Sequence, residues 1–298
     1  MRNFDFCGKW KQIFAVPVIL LVLGVVLFFT VGLNIGVDFS GGSLIYAEIG
    51  SDKFEVDEIR SIVNKHTANA TVSYSGNNNV GVDIRLGGSD DATEVQDKII
   101  AEICEKYGIG QDKIEVEYVG PTIGKSLITN ASIALLIAFV LMLVYIWVRF
   151  ELFSGITALI ALVHDVVITF VFVMLFNVQI NTPFIAAILT IVGYSINNTI
   201  IIFDRIRYNS TLLGGKATKN EIVNTSIRET MKRSINTTIT TLIALVALYV
   251  LGVESIKTFV LPIIVGVLAG FFSSVAMTGP LWVLITKKKE AKLKSVKI

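Results

Sequence analysis

Six apolar stretches, each long enough to cross a bilayer, constrain this chain more than any single residue, and an acidic polar insert separates the first from the second. A membrane helix needs about 20 apolar residues to cross roughly 30 Å of hydrocarbon. Uncharged runs of that length extend from Gln12 to Val37, Ser126 to Val148, Ser234 to Val253 and Thr258 to Thr286. A fifth, from Val166 to Phe203, is too long for one span and divides at Asn177-Val-Gln-Ile-Asn-Thr-Pro183, where turn formers mark a loop. Its first half joins Leu152–Val163 into one span interrupted by His164-Asp165. Only 17% of the 298 residues are charged, against roughly a quarter in soluble domains, which places most of the chain in lipid.

The charges are unevenly placed. Between Asp38 and Gly124 stand 7 Lys/Arg against 16 Asp/Glu, a net of −9, whereas Asp204–Arg233 has 7 Lys/Arg against 3 Asp/Glu. Basic residues flank the first span (Arg2, Lys9, Lys11) and follow the last (Lys287, Lys288, Lys289), and Arg149 lies in the tight turn after the second. Six spans put both termini and the basic segment on one face and the acidic insert on the other. The positive-inside rule then makes the shared face cytoplasmic. The expected organisation is a cytoplasmic N-terminus at 1–11, a first transmembrane helix at 12–33 and an extracytoplasmic domain at 34–125. Helices two to six follow at 126–286, with a basic cytoplasmic loop at 204–235 and a basic tail at 287–298. The first apolar run is too long for a secretion signal, and no small-residue cleavage site precedes Asp38, so it reads as an uncleaved anchor. Cys7 and Cys104 fall on opposite faces and cannot pair within the chain.

The insert alternates strands and helices. Gly42–Ile49, Thr71–Ser75, Val80–Leu86 and Ile114–Val119 read as strands, with Gly76-Asn-Asn-Asn79 as a hairpin connection. Val56–His66 carries Val56, Ile59, Ile62 and Val63 on one helical face, and Thr93–Tyr107 carries Val95, Ile99, Ile103 and Tyr107 on another. The order βαββαβ is that of ferredoxin-like folds, which host many functions. The fold class is therefore an α-helical polytopic membrane protein with six transmembrane helices and one extracytoplasmic ferredoxin-like α+β domain. The insert has no CxxC, phosphate loop, HExxH or nucleophile–base pair, so a binding or lever role is expected there rather than catalysis.

Polar groups within spans are costly and call for a reason. His164-Asp165 is the titratable pair well inside a span; at 1.5 Å per residue Asp165 lies roughly 20 Å from Glu151. Two roles stay open for it, proton or ion handling and a helix–helix hydrogen bond. The fourth span holds Tyr194, Ser195, Asn197 and Asn198 ahead of Asp204, Arg205 and Arg207, which shape its cytoplasmic end. Asn198 lies about 9 Å from that end, some 12 Å from the depth of Asp165. The fifth carries Arg233, Asn236, Thr237, Thr240 and Thr241 on one face, either packing or lining a path. Gly266, Gly270 and Ser274 make a small-residue face on the last.

These segments resemble a known family. Gly32-Leu-Asn-Ile-Gly-Val-Asp-Phe-Ser-Gly-Gly-Ser43, Val119-Gly-Pro-Thr-Ile-Gly-Lys125, Ala161-Leu-Val-His-Asp165, Asn198-Thr-Ile-Ile-Ile-Phe-Asp-Arg-Ile-Arg207 and Arg233-Ser-Ile-Asn-Thr-Thr238 are similar, in order, to the SecF branch of the SecD/SecF family of protein-export membrane proteins. The resemblance implies half of a transporter of the resistance-nodulation-division type. With SecD as partner it would form twelve spans, associate with the SecYEG channel and use an ion gradient to pull unfolded polypeptides outward. It implies no cofactor beyond the coupling ion, H+ or Na+, and no nucleic-acid partner. The family often has Asp in an Asn-Asp-Thr segment of the fourth span, acting with an Arg of the next span. Here the segment reads Asn197-Asn198-Thr199, and Asn cannot titrate. The gradient-coupled carboxylate then lies in SecD, or in Asp165, or the ion is Na+. Two rival readings remain, a homodimeric exporter of small molecules or lipids and a non-transporting assembly scaffold.

Overall fold

The computed structural model describes residues 4–50, 54–67, 70–75, 80–87, 92–252 and 254–296. The expected hairpin connection at 76–79, Gly88, Val253, Arg2 and the last two residues lie outside the described residues, as do the side chains of the tail from Lys288 onward. Two compact units emerge, one built from residues 1–34, 134–178 and 183–298, the other from 35–133 and 179–182.

The first unit is helical. Helix α1 spans Trp10–Thr30. A four-residue turn of helix, α2 (Val37–Ser40), and two helices of the second unit, α3 (Val56–His66) and α4 (Ala92–Tyr107), intervene before α5 (Pro121–Arg149). Then come α6 (Leu152–Leu175), α7 (Thr182–Leu213), α8 (Lys219–Leu251), α9 (Glu254–Phe272), a π-helical segment at Ser273–Thr278 and α10 (Gly279–Val296). The last three run on as one rod, so among the described residues six helices are long and apolar enough to cross a membrane.

The segment 204–235, expected as a loop, is helical except around 214–218. Its polar residues do not end α7 and α8; they decorate extensions of both. Thr218 starts α8 with a capping box, its hydroxyl accepting from Glu221 N while the Glu221 carboxylate accepts from Thr218 N at 2.7 Å.

Burial is uneven across the bundle. Helices α6, α7 and the last rod hold most of its buried residues, whereas α1, α5 and α8 leave long faces open. Close approach needs small residues: a Cβ on Gly266 would stand 2.3–2.6 Å from side-chain atoms of Ile191, which is itself fully buried on α7.

The N-terminal segment docks on one end of this bundle. Asn224 of α8 accepts from Phe6 N at 2.9 Å and Cys7 N at 3.3 Å, and donates to Asp5 at 2.7 Å. Lys287 donates to Asn220 at 3.0 Å, so the start of the chain, the start of α8 and the end of the last span meet at the same end. Burial, with the Asp5 charge beside it, pushes the Cys7 thiol up to about 12.

The second unit is a four-stranded antiparallel sheet with α3 and α4 packed on one face. Strands β1 (Gly42–Glu48), β2 (Ala70–Ser75), β3 (Gly81–Gly87) and β4 (Ile114–Val119) stand in the order β2-β3-β1-β4. Alternation sets the register: Ile45 sits opposite Ile84, and these with Ala47, Val72, Val82 and Leu86 meet Ile59, Val63, Ile99 and Ile103 of the helices. Two glutamates, Glu115 and Glu117, alternate along the edge strand β4, leaving Val116 and Tyr118 exposed beside them. The Asp38 carboxylate accepts from Thr182 N at 2.8 Å, and a Cβ on Gly124 would come within 2.9 Å of Phe39 O. The glycine-rich and Gly-Pro segments are thus packed backbone to backbone.

Two outcomes follow. Gly266→Val forces α9 off α7 and lowers the unfolding midpoint of the purified chain, whereas Gly193→Ala, on the exposed side of α7 where a Cβ meets nothing within 4 Å, does not lower it. Cys7 resists alkylation by iodoacetamide at pH 8, because a thiol titrating about 12 carries little thiolate there; in Asn224→Ala the docked segment loosens and the reaction accelerates, as mass spectrometry of the labelled peptide would show.

Candidate functional site

The centre of the helical unit is a carboxylate. Asp165, on α6, is fully buried. His164 Nδ1 lies 2.9 Å from Asp165 Oδ1. The Ser195 hydroxyl of α7 donates to Oδ2 at 2.5 Å, and the Ser273 hydroxyl donates to the same oxygen at 2.9 Å. Thr169 donates to the Asp165 carbonyl at 2.8 Å. One acid is therefore held from three spans. The contacts from His164, Ser195 and Ser273 are to a carboxyl group, and to its ionised form they are stronger than neutral hydrogen bonds.

The π segment explains how adjacent serines serve different neighbours. Ser273 reaches Asp165, while Ser274 lies 2.9 Å from the Thr199 hydroxyl and 3.4 Å from the Ser195 carbonyl. Such wide turns are concentrated at functional positions in helices. In the sequence Ser274 belongs to a small-residue stripe, and the only mark of Ser273 is the Ser-Ser pair in mid-span.

The expected site residues separate into three places. His164 and Asp165 are central, and the outer edge of the His164 ring faces an apolar crevice of about 200 Å3 lined by Leu20, Ile168, Phe172, Val265 and Phe272. Asn198 is fully buried on α7 three residues past Ser195, only about 4.5 Å along the helix axis. The expected 12 Å offset from Asp165 takes α7 to end at Asp204, but the helix continues to Leu213, and Ser195, one turn before Asn198, bonds Asp165. Asn198 makes no bond to Asp165.

Asp204, Arg205 and Arg207 tie helix ends together. Arg205 Nε donates to Glu229 of α8 at 2.6 Å, Arg207 donates to the Arg149 carbonyl of α5 at 3.1 Å, and Asp204 accepts from Arg207 at 3.4 Å. Asp204 and Arg205, with Tyr145, Glu229, Thr230 and Arg233, line an open polar cavity of about 560 Å3. Arg233, Asn236 and Thr240 lie on an exposed face of α8, with Thr237 and Thr241 half-buried beside them. The three threonine hydroxyls donate back to carbonyls of their own helix at 2.9–3.0 Å. Among the described residues no cluster of three or more His, Cys, Asp or Glu could hold a metal ion.

A buried acid shared among three of the six helices that are long and apolar enough to cross a bilayer, with an open polar face on a fourth, is the architecture of a multi-pass membrane protein. The family described as protein export membrane protein SecD/SecF, C-terminal, matches residues 99–288. The chain is 38% identical to protein translocase subunit SecF of Calditerrivibrio nitroreducens over 95% of this chain and 94% of that one. It is 39% identical to protein translocase subunit SecF of Desulfurispirillum indicum, covering 88% and 85%. The crystal structure of SecDF, a translocon-associated membrane protein from Thermus thermophilus, superposes with a TM-score of 0.82 at 31% identity over 96% of this chain. This chain spans 39% of that longer one. The chain belongs to the SecD/SecF family of protein export membrane proteins.

The Asp165 network makes a stability prediction. Asp165→Ala leaves Ser195 and Ser273 without their acceptor in a dry interior and costs about 2–4 kcal/mol. Asp165→Asn keeps a carbonyl acceptor and costs less. Denaturant titration of the purified chain in mild detergent gives both values.

Proposed function

We propose that this chain is a SecF-type accessory subunit of the protein translocase, working with a SecD partner to promote export of unfolded polypeptides through SecYEG at the expense of the transmembrane ion gradient. The observation that carries the two-part reading is the open polar face of α8. The threonines there satisfy themselves, but Arg233 and Asn236 are exposed on a helix apolar and long enough to span. In lipid such groups need partners, and the spans of a second subunit supply them. The relatives named SecF match over nearly their whole length, and the structural neighbour holds a SecDF chain in one polypeptide.

In this reading the termini and the basic ends of α7 and α8 face the cytoplasm, and the sheet unit is a ferredoxin-like domain outside. Its open β4 edge offers backbone groups to an extended exported chain or to the counterpart domain of SecD. No covalent catalysis is involved. Asp165 is the group through which this subunit feels the gradient, with His164 beside it. Its carboxylate is bonded to hydroxyls of two other spans, so changing its charge changes the bonds that set their packing. Asn198 cannot titrate, so a carboxylate of SecD carries the rest of any proton path. One elementary charge moving through 100 mV supplies about 2.3 kcal/mol.

Cysteine placed at Asn236 in the intact chain, in native membranes, is expected to cross-link to a SecD-type protein. A cross-linked dimer of this chain alone would instead establish the homodimeric exporter. Asp165→Asn is expected to reduce uncoupler-sensitive export while leaving the cross-link intact. Export unchanged by that substitution removes Asp165 from the coupling, and export indifferent to the gradient in the unmodified chain leaves the scaffold reading. Dependence on Na+ rather than H+ would identify the ion.

A further inference from the structure

Helices α7 and α8 are joined by a ladder of polar pairs running along their length. The Tyr194 hydroxyl donates to Thr238 Oγ1 at 2.8 Å, Arg205 donates to Glu229 at 2.6 Å, and Asn209 donates to Ser226 Oγ at 3.0 Å. Residue numbers rise along α7 as they fall along α8, so the helices are antiparallel and in fixed register. One turn from the Tyr194–Thr238 pair, toward the Arg205–Glu229 pair, that register brings Asn198 opposite Ser234. Both side chains are fully buried. Neither the Nδ2 nor the Oδ1 of Asn198, nor the Ser234 hydroxyl, has a partner among the described residues.

The Ser234 hydroxyl is set apart from its neighbours on the same face. Ser226, Thr230 and Thr238 each donate to the carbonyl four residues earlier, at 2.7, 2.9 and 2.8 Å. Ser234 makes no such bond. Three buried, unpartnered polar atoms that the register sets at one level of a helix interface mark a site for a guest, because a buried donor or acceptor without a partner carries its full desolvation cost.

We propose that Asn198 and Ser234 hold ordered water between α7 and α8. The choice of guest follows from the atoms. A bare cation would suit the Asn198 carbonyl oxygen and the serine oxygen but would leave the Asn198 NH2 without an acceptor, close to a positive charge. Water both donates and accepts, and so satisfies all three atoms; buried waters typically make about three hydrogen bonds to such groups. The bridge makes the polar ladder continuous from Tyr194 to Asn209 without a titratable group at its middle rung. It stands independently of the export reading.

The test uses the intact purified chain with whatever subunit accompanies it. Asn198→Leu and Ser234→Ala are each expected to lower the unfolding midpoint by roughly 2–4 °C, and the double variant to fall no further than either single, since both remove one shared bridge. A rise in the midpoint of either variant overturns the proposal, because it shows that the group was buried unpaired. Additive losses overturn it as well, because the two residues then act separately. If Asn198→Leu does not fold, the unmodified chain decides. A cryo-EM map that resolves ordered water is expected to show density between the two side chains, and a clear absence there refutes the bridge. A midpoint raised by NaCl but not by choline chloride at equal ionic strength, with the rise lost in Ser234→Ala, replaces water with a cation.

Discussion

The packing of the helical unit depends on how Asp165 is satisfied. An ionised carboxylate in a dry interior is costly unless several donors meet it, and those donors must arrive in good geometry. Here they come from the preceding residue, from α7 and from the π segment of the last span. No helix satisfies the acid alone, so α6, α7 and the last rod are held at one relative height and rotation. The same apposition requires small residues where the backbones approach, as at Gly266 against Ile191.

Around that centre the bundle is asymmetric. The inner helices are closed on their neighbours, while α8 turns Arg233, Asn236 and Thr240 outward. The charged ends of α7 and α8 are held by Arg205–Glu229 and by Arg207 on the Arg149 carbonyl, which stiffens the end where the N-terminal segment docks. Exposed contacts of this kind contribute little stability each. Their consequence is geometric: they help to fix the register of α7 against α8 and α5.

Much of this was legible in the residues. The spans follow from length and apolarity, and the strands and helices of the sheet unit follow from alternation and helical spacing to within a residue or two at most ends. His164-Asp165 stood out because charge inside an apolar run is rare. The helical continuation through 204–235 was not legible, since a polar composition is shared by loops and by helices that project beyond the membrane. Nor were the partners of Asp165: Ser195 and Ser273 are 30 and 108 residues away, and nothing local distinguishes a serine that bonds its own helix from one that reaches another.

The amino-acid sequence by itself determined that this protein crosses the membrane several times, that a polar α+β insert interrupts the spans, and that an acid sits in their midst. These are properties of single segments, set by transfer energies and periodicity. Only the tertiary structure decided which serines hold the acid, and that Asn198 and Ser234 are fully buried with their side-chain polar atoms unpartnered among the described residues. Those facts depend on how helices rotate and slide against each other, which is governed by side-chain fit between segments far apart in the chain and leaves no mark on any one of them.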